Sequence, residues 1–166
     1  DHLGSDHLFR TRIASLNQVL RPWWGKALAG MDYVLRQRGP LAMSLNQGGG
    51  FIRLAEGDGP PDTQLYFSPL SYSSAPAGKR PLMSPDSFPA VRIGFNPAKP
   101  TSTGSITLRS ADPMAPPVMR GGYLSTDHDR ALMIKGTREV RRIASMPSLA
   151  RVIEAELDPG PDCVTD

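Results

Sequence analysis

The run "SLNQGGGFIRL", Ser44 to Leu54, sets three consecutive glycines between an Asn–Gln pair and an apolar stretch. Its reading separates two fold classes. A dinucleotide-binding loop would place glycines in the spacing G-x-G-x-x-G between a strand and a helix, and a Walker loop would end in Gly-Lys-Ser/Thr. Neither pattern is present: the glycines precede a strand-like run, and turn-rich sequence follows before the next strand. They mark a place where another backbone or a ligand comes close to a strand. The doubly wound α/β class loses its main support, and the chain reads as α+β.

Sequence on both sides of the glycines agrees. Phe51 to Leu54, Gln64 to Phe67, Val91 to Phe95 and Ser105 to Arg109 are short runs bounded by Gly, Pro, Asp and Ser, the marks of strands. Ile106 and Leu108 alternate with Thr107 and Arg109, which predicts a half-buried ladder in an antiparallel sheet covered on one side. Another strand is expected to begin near His7, with His7, Phe9 and Thr11 on one face. Ser15 is placed to cap a short helix. Trp24, Ala27, Leu28, Met31, Val34 and Leu35 then follow helical spacing, with Pro22 in the first turn, Arg36 and Arg38 in the last turn, and Gly39–Pro40 as the stop. The Trp23–Trp24 pair reads as core or domain interface rather than as an aromatic cage.

The final third returns to helix. Thr126, followed three residues later by Asp129, opens it with a capping-box pattern. Leu132, Met133, Gly136, Val140 and Ile143 form the apolar stripe, Pro147 ends the helix, and a second short helix is expected over Leu149 to Leu157. The Pro-rich stretch from Ser71 to Pro89 is too long for a hairpin and reads as a lid, a binding loop or a flexible connection.

At 166 residues the chain suits one domain. Apolar residues make up 39% and charged residues 21%, which excludes a disordered chain. The net charge of 19 − 16 = +3 is too small to imply nucleic acid. Arg130, Lys135, Arg138, Arg141 and Arg142 do make the last long helix basic, but no aromatics interleave for base stacking. That face is expected to be solvated or to meet a further domain. Cys163 is the only cysteine, so no disulfide forms within the chain, in keeping with a reducing compartment. No apolar run approaches the roughly 18 residues of a membrane span. Asp-His-Leu occurs twice in the first eight residues, an incomplete metal set. No nucleophile elbow is present, Cys163 has no histidine partner, and His128 reads as a surface residue.

Several segments in colinear order resemble the glucose–methanol–choline (GMC) oxidoreductase family, closest to its choline dehydrogenase branch. They are "DHLG" at the start, "RQRGPLAMSLNQGGGFIR", "DTQLYFSPLSY", "GFNPAKPTSTGSITLRSADPMAPPVM" and "YLSTDHDRALMIKGTREVRRIASMPSLA". The last two are the most specific. The resemblance implies that residues 1–166 are the substrate-binding domain, an α+β antiparallel sheet with helices packed on one face, of a larger FAD-dependent alcohol oxidoreductase, oxidising an alcohol to an aldehyde by hydride transfer to flavin. The FAD-binding domain and the catalytic histidine segment would lie outside this chain, which by itself is expected to hold no catalytic residue and no FAD. Expected partners are a small-molecule alcohol, the missing FAD domain and a second copy through the flavin-facing surface. The expected location is the cytoplasm, peripheral to the inner membrane in the full-length enzyme. A stand-alone ligand-binding or interaction module is the alternative.

Carried to matching positions, the resemblance lines the substrate pocket with Gln47, Tyr66, Asn96 and Lys99. Gln47 and Asn96 have a plain alternative, satisfying backbone groups at strand ends, and Lys99 can equally stand in solvent. In choline-oxidising relatives a histidine occupies the position of Lys99. A lysine there speaks against a quaternary ammonium substrate.

Overall fold

The computed structural model describes residues 3–72 and 85–164. Its centre is a five-stranded sheet of β1 (Ser5–Thr11), β2 (Gly48–Ile52), β3 (Thr63–Ser68), β4 (Ala90–Pro97) and β7 (Ile153–Asp158). The order is β2-β3-β4-β1-β7, and every neighbouring pair is antiparallel. A separate two-stranded ribbon joins β5 (Ser105–Thr107) to β6 (Val118–Arg120). The helices are α1 (Leu16–Leu20), α2 (Trp23–Arg36), α3 (Asp127–Ala144) and α4 (Pro147–Ala150). The architecture is thus α+β with an antiparallel sheet, as the strand and helix periods imply.

Alternation divides the sheet into two unlike faces. Phe9, Val91, Ile93 and Phe95 point to one side and form the core with Val140 and Ala144 of α3. Leu65, Phe67, Met133, Leu149 and Ile153 close around them. Phe95 is fully buried, and Gly136 of α3 lies directly over its ring, where a Cβ would overlap three ring carbons. This glycine lets the helix approach the sheet. Burying a phenylalanine of this kind contributes about 1.5–3 kcal/mol.

Capping side chains set the helix starts. Ser15 accepts from the Asn17 amide while Gln18 accepts from the Ser15 amide, a complete capping box. At α3 the Thr126 hydroxyl accepts from the Asp129 amide, but Asp129 does not reach back. Its buried carboxylate accepts instead from the amides of Thr101 and Ser102, both at 2.8 Å, and so ties the loop after β4 to the helix. Burial alone would raise the Asp129 pKa. The hydrogen bonds from Ser102 and Thr101 outweigh that and hold it well below the usual carboxylate range. A second latch joins α1 to the segments on either side of the undescribed stretch: Asn17 donates to Ser71 Oγ and to the Phe88 carbonyl, and Ser71 donates to Asp86.

Four expectations are corrected. Ile153 to Asp158 is a strand rather than helix, and Pro147 opens α4 rather than only ending α3, whose last residue is Ala144. The sequence "IEAELD" has weak strand propensity, and pairing with β1 overrides it. The glycines do not precede β2; they form its first three positions. Ile106 and Leu108, expected to be half-buried, are 73% and 88% exposed, because β5 pairs only with β6 and joins no core. Helix α2, which has the amphipathic spacing expected, turns its small residues Gly25 and Ala29 inward and leaves Trp24, Leu28, Met31, Val34 and Leu35 exposed.

Basic residues on α3 are partly neutralised. Arg141 makes a bidentate pair with Glu156 of β7 and also donates to the carbonyls of Gly160 and Cys163. Arg142 pairs with Glu139 and Arg130 with Asp127. Asp1 and His2 of the incomplete Asp-His-Leu set, and most of the Ser71–Pro89 loop, lie outside the described residues. Among the described residues no cluster could hold a metal ion, and no helix is long and apolar enough to cross a membrane.

Candidate functional site

Opposite the α3 face, register across β2, β3, β4 and β1 sets side chains into rows. One row runs Phe51, Gln64, Asn96. The next runs Gly49, Tyr66, Gly94, Asp6, so a tyrosine lies between two glycines on adjacent strands. A third sets Ser68 beside Arg92 and Leu8. Between the first two rows lies a cleft of about 620 Å³, lined chiefly by Asn46, Phe51, Gln64, Tyr66 and Asn96 and by the backbone of the glycine strand.

Two glycines leave this cleft its shape. A Cβ on Gly94 would overlap the Tyr66 ring and the Asp6 carboxylate, so only glycine lets the ring lie across β4 towards β1. A Cβ on Gly4 would stand 3.3 Å from Tyr66 Oη and 3.5 Å from Asn96 Cβ, and its absence keeps that end open. Gly49 is tight against β3: a Cβ there would overlap the Leu65 carbonyl.

Charge lies at the Tyr66 end. Arg92 Nη2 is 3.1 Å from Asp6 Oδ2, and its guanidinium sits over the Tyr72 ring, 4.7 Å from the centroid. Asp6 Oδ1 is buried without a hydrogen-bond partner among the described residues. Burial first, and then the Asp6 charge, push the Tyr66 phenol well above its usual value. Tyr66 therefore stays protonated throughout the neutral range. It can donate a hydrogen bond but cannot serve as a base.

Of the residues expected in the pocket, Tyr66 and Asn96 line the cleft together. Gln47 adjoins it: its amide donates to the Phe67 carbonyl just before β2 begins, and its side chain is exposed. Lys99 is exposed on the turn after β4 and is not among the lining residues. Gly4, Asp6, Gln64, Arg92 and Gly94 were not singled out, although they shape the same face. "DHLG" and "GFNP" carry two of these residues, but only the strand register shows that they meet.

The residues present do not by themselves fit a dinucleotide. The glycine run is a strand paired with β3, with no helix starting after it. At the start of α3 stand Asp127 and Asp129, which disfavour a phosphate at that helix N-terminus. Cleft chemistry is that of a neutral hydroxyl donor, three side-chain amides (Asn46, Gln64 and Asn96) and aromatic rings, suited to orienting a small polar molecule.

Comparison with known proteins agrees with this architecture. A sequence model for GMC oxidoreductase matches residues 100–166. An oxygen-dependent choline dehydrogenase of Rhizobium rhizogenes is 32% identical over 147 residues, covering 87% of this chain and 25% of that protein. Its counterpart in Rhizobium etli is 32% identical over 158 residues, covering 94% of this chain and 27% of its own length. The chain thus spans about a quarter of the curated relatives it matches. Among solved structures, formate oxidase of Aspergillus oryzae superposes with a TM-score of 0.76 at 20% identity, covering 95% of this chain and 31% of that one. With sequence likeness along nearly its whole length and the same arrangement of sheet and helices, the chain is similar to the GMC oxidoreductases.

Proposed function

We propose that this chain is the substrate-binding part of an FAD-dependent alcohol oxidoreductase of the choline dehydrogenase kind, which oxidises an alcohol to an aldehyde. The observation that carries the reading is the cleft on the face opposite α3, where Gln64, Tyr66 and Asn96 converge over a strand of glycines. In the full-length protein FAD supplies the hydride acceptor, held by segments outside this chain. The residues here do three things. Tyr66 and the amides of Gln64 and Asn96 orient the substrate's polar groups, Phe51 and the Tyr66 ring offer apolar contact, and the glycines allow close approach. Gln47 stands at the rim beside the cleft, and Lys99 lies further out in solvent. On this reading the chain alone is expected to turn over no substrate.

The test is a substrate screen on the full-length polypeptide that contains this chain, with Asn96→Ala and Lys99→Ala beside the unaltered protein. Asn96→Ala is expected to lower kcat/KM at least tenfold, the effect of losing one well-placed polar contact. Unchanged kinetics for every alcohol tried would refute a pocket role for Asn96, and unchanged kinetics in Lys99→Ala would remove Lys99 from consideration. A purified chain that is yellow, with about one equivalent of flavin, would contradict the division of labour stated above.

A further inference from the structure

The five-stranded sheet ends in two unlike edges. β7 carries Glu154, Glu156 and Asp158 among its six residues, and acidic side chains along an edge oppose the addition of a further strand. β2, at the other edge, has no such guard. Nothing from Gly39 to Ile52 is charged, β2 holds no proline, and its residues Gly48 to Phe51 are all exposed. Arg53, the first charge beyond it, is held in its own loop, where it donates to the carbonyls of Glu56, Gly57 and Pro60. Among the described residues no strand pairs with the outer side of β2. Its outward backbone groups are open to a partner strand.

The residues of β2 indicate which strand that is. Packing within the chain requires glycine at position 49 alone, where a Cβ would overlap the Leu65 carbonyl. A Cβ on Gly48 would make ordinary contact with Phe67, and one on Gly50 would meet nothing within 4 Å. Two large apolar residues follow the glycines: Phe51, which is 61% exposed, and Ile52. A second β2 laid antiparallel about Gly50 sets Phe51 across from Gly49 on the cleft side and Ile52 across from Gly48 on the α3 side. Each bare position of one strand is matched by a large side chain of the other, twice over by symmetry. No like charges meet in this register, and Arg53 stands opposite the neutral Gln47.

We propose that two copies of this chain join edge to edge through β2, antiparallel about Gly50, into one continuous sheet of 5 + 5 = 10 strands. The partner's Phe51 then lies beside Gly49 in the row that continues to Tyr66, so each cleft receives an aromatic ring from the other copy. This is a junction of strand edges, distinct from association through a face of the sheet. It stands apart from the alcohol-oxidising reading, and none of its tests requires turnover.

Sedimentation velocity of the chain should show a dimer. Phe51→Lys with Ile52→Lys puts charge on the edge and should raise the dissociation constant at least about tenfold, which the loss of one buried large apolar side chain already implies. Both residues lie outside the core cluster, and unchanged far-ultraviolet circular dichroism confirms that the fold remains. In a Cys163→Ser background, Gly50→Cys sets two thiols on the symmetry axis at the Cα spacing of an antiparallel pair, about 4.5–5.5 Å, which is within disulfide reach. Mild oxidation should therefore link the copies. Ile52→Cys in the same background should not link, because a four-residue offset holds its two thiols about 13 Å apart. A chain that stays monomeric up to its solubility limit overturns the proposal, as does a dimer indifferent to the lysine pair. So does a Gly50→Cys protein that links no faster than Ile52→Cys. A full-length polypeptide that is monomeric where the chain is dimeric would give the edge to another segment of the same protein and likewise overturn the proposal.

Discussion

Gly136→Ala pits helix propensity against packing. Alanine in the middle of α3 favours the helix by about 1 kcal/mol over glycine. The methyl would, however, overlap three carbons of the Phe95 ring, which is fully buried and cannot swing into solvent. Around that ring, Leu65 sits opposite on β3 and the His7 ring stands 6.3 Å away, so relief must come from shifting α3 off the sheet. Overpacking of this kind costs about 1–3 kcal/mol, and contact with three atoms of a ring that has no exit places it at the upper end. The net expectation is a loss of about 1–2 kcal/mol, which lowers Tm by about 2–8 °C in a chain of this size. Urea denaturation of the single variants and of the double variant with Phe95→Ala decides the matter. Phe95→Ala alone should cost about 3–5 kcal/mol. In the double variant the new methyl enters the vacated space, so the double should be more stable than the sum of the singles predicts, by about 0.5–3 kcal/mol. A Gly136→Ala protein as stable as the parent, or strict additivity, would refute the argument that this glycine sets the distance between helix and sheet.

Three further outcomes follow from named contacts. Asp129→Ala leaves the Thr101 and Ser102 amides without their acceptor and should cost about 2–3 kcal/mol in chemical denaturation. Because the folded-state pKa of Asp129 is depressed, its stabilisation is complete above the unfolded value near 3.8 and fades as pH falls below it. Asp129→Asn should therefore flatten the acid limb of the stability profile, and an unchanged limb would refute this. His7 is fully buried, and burial lowers its pKa against the pull of Glu156, so the folded state favours the neutral ring. Stability should then decline as pH falls through the unfolded value of 6.5, and His7→Gln should remove that decline when Tm is followed across the range. Arg141→Ala strips Glu156 of its bidentate partner and frees two carbonyls near the C-terminus; a loss of about 2–3 kcal/mol is expected, partly restored by adding Glu156→Gln.

Local chemistry made much of this fold legible. Short runs bounded by turn residues located β3 and β4, and helical spacing located α2 and α3, because both signals are local to the chain. Ser15 and Thr126 marked helix starts because a cap is satisfied within four residues of chain. In the candidate site, Tyr66 and Asn96 could be named beforehand because they lie in family-like segments, and the structure puts them in one cleft. Beyond that range, the sequence was silent or misleading. "IEAELD" has helix formers at its centre, Glu154 to Leu157, and it becomes the fifth strand only because β1 presents a free edge to it. The stripe on α2 showed that the helix has an apolar side but not which side the protein covers. Its orientation depends on what lies against Gly25 and Ala29. Asp6 and Gly94 belong to segments some 90 residues apart, and their meeting beneath Tyr66 exists only in the register of antiparallel strands. The same holds for "SLNQGGGFIRL". Its composition excluded a phosphate loop, whereas the tertiary pairing made its glycines the floor of a cleft, because close approach of backbones is a property of neighbouring strands.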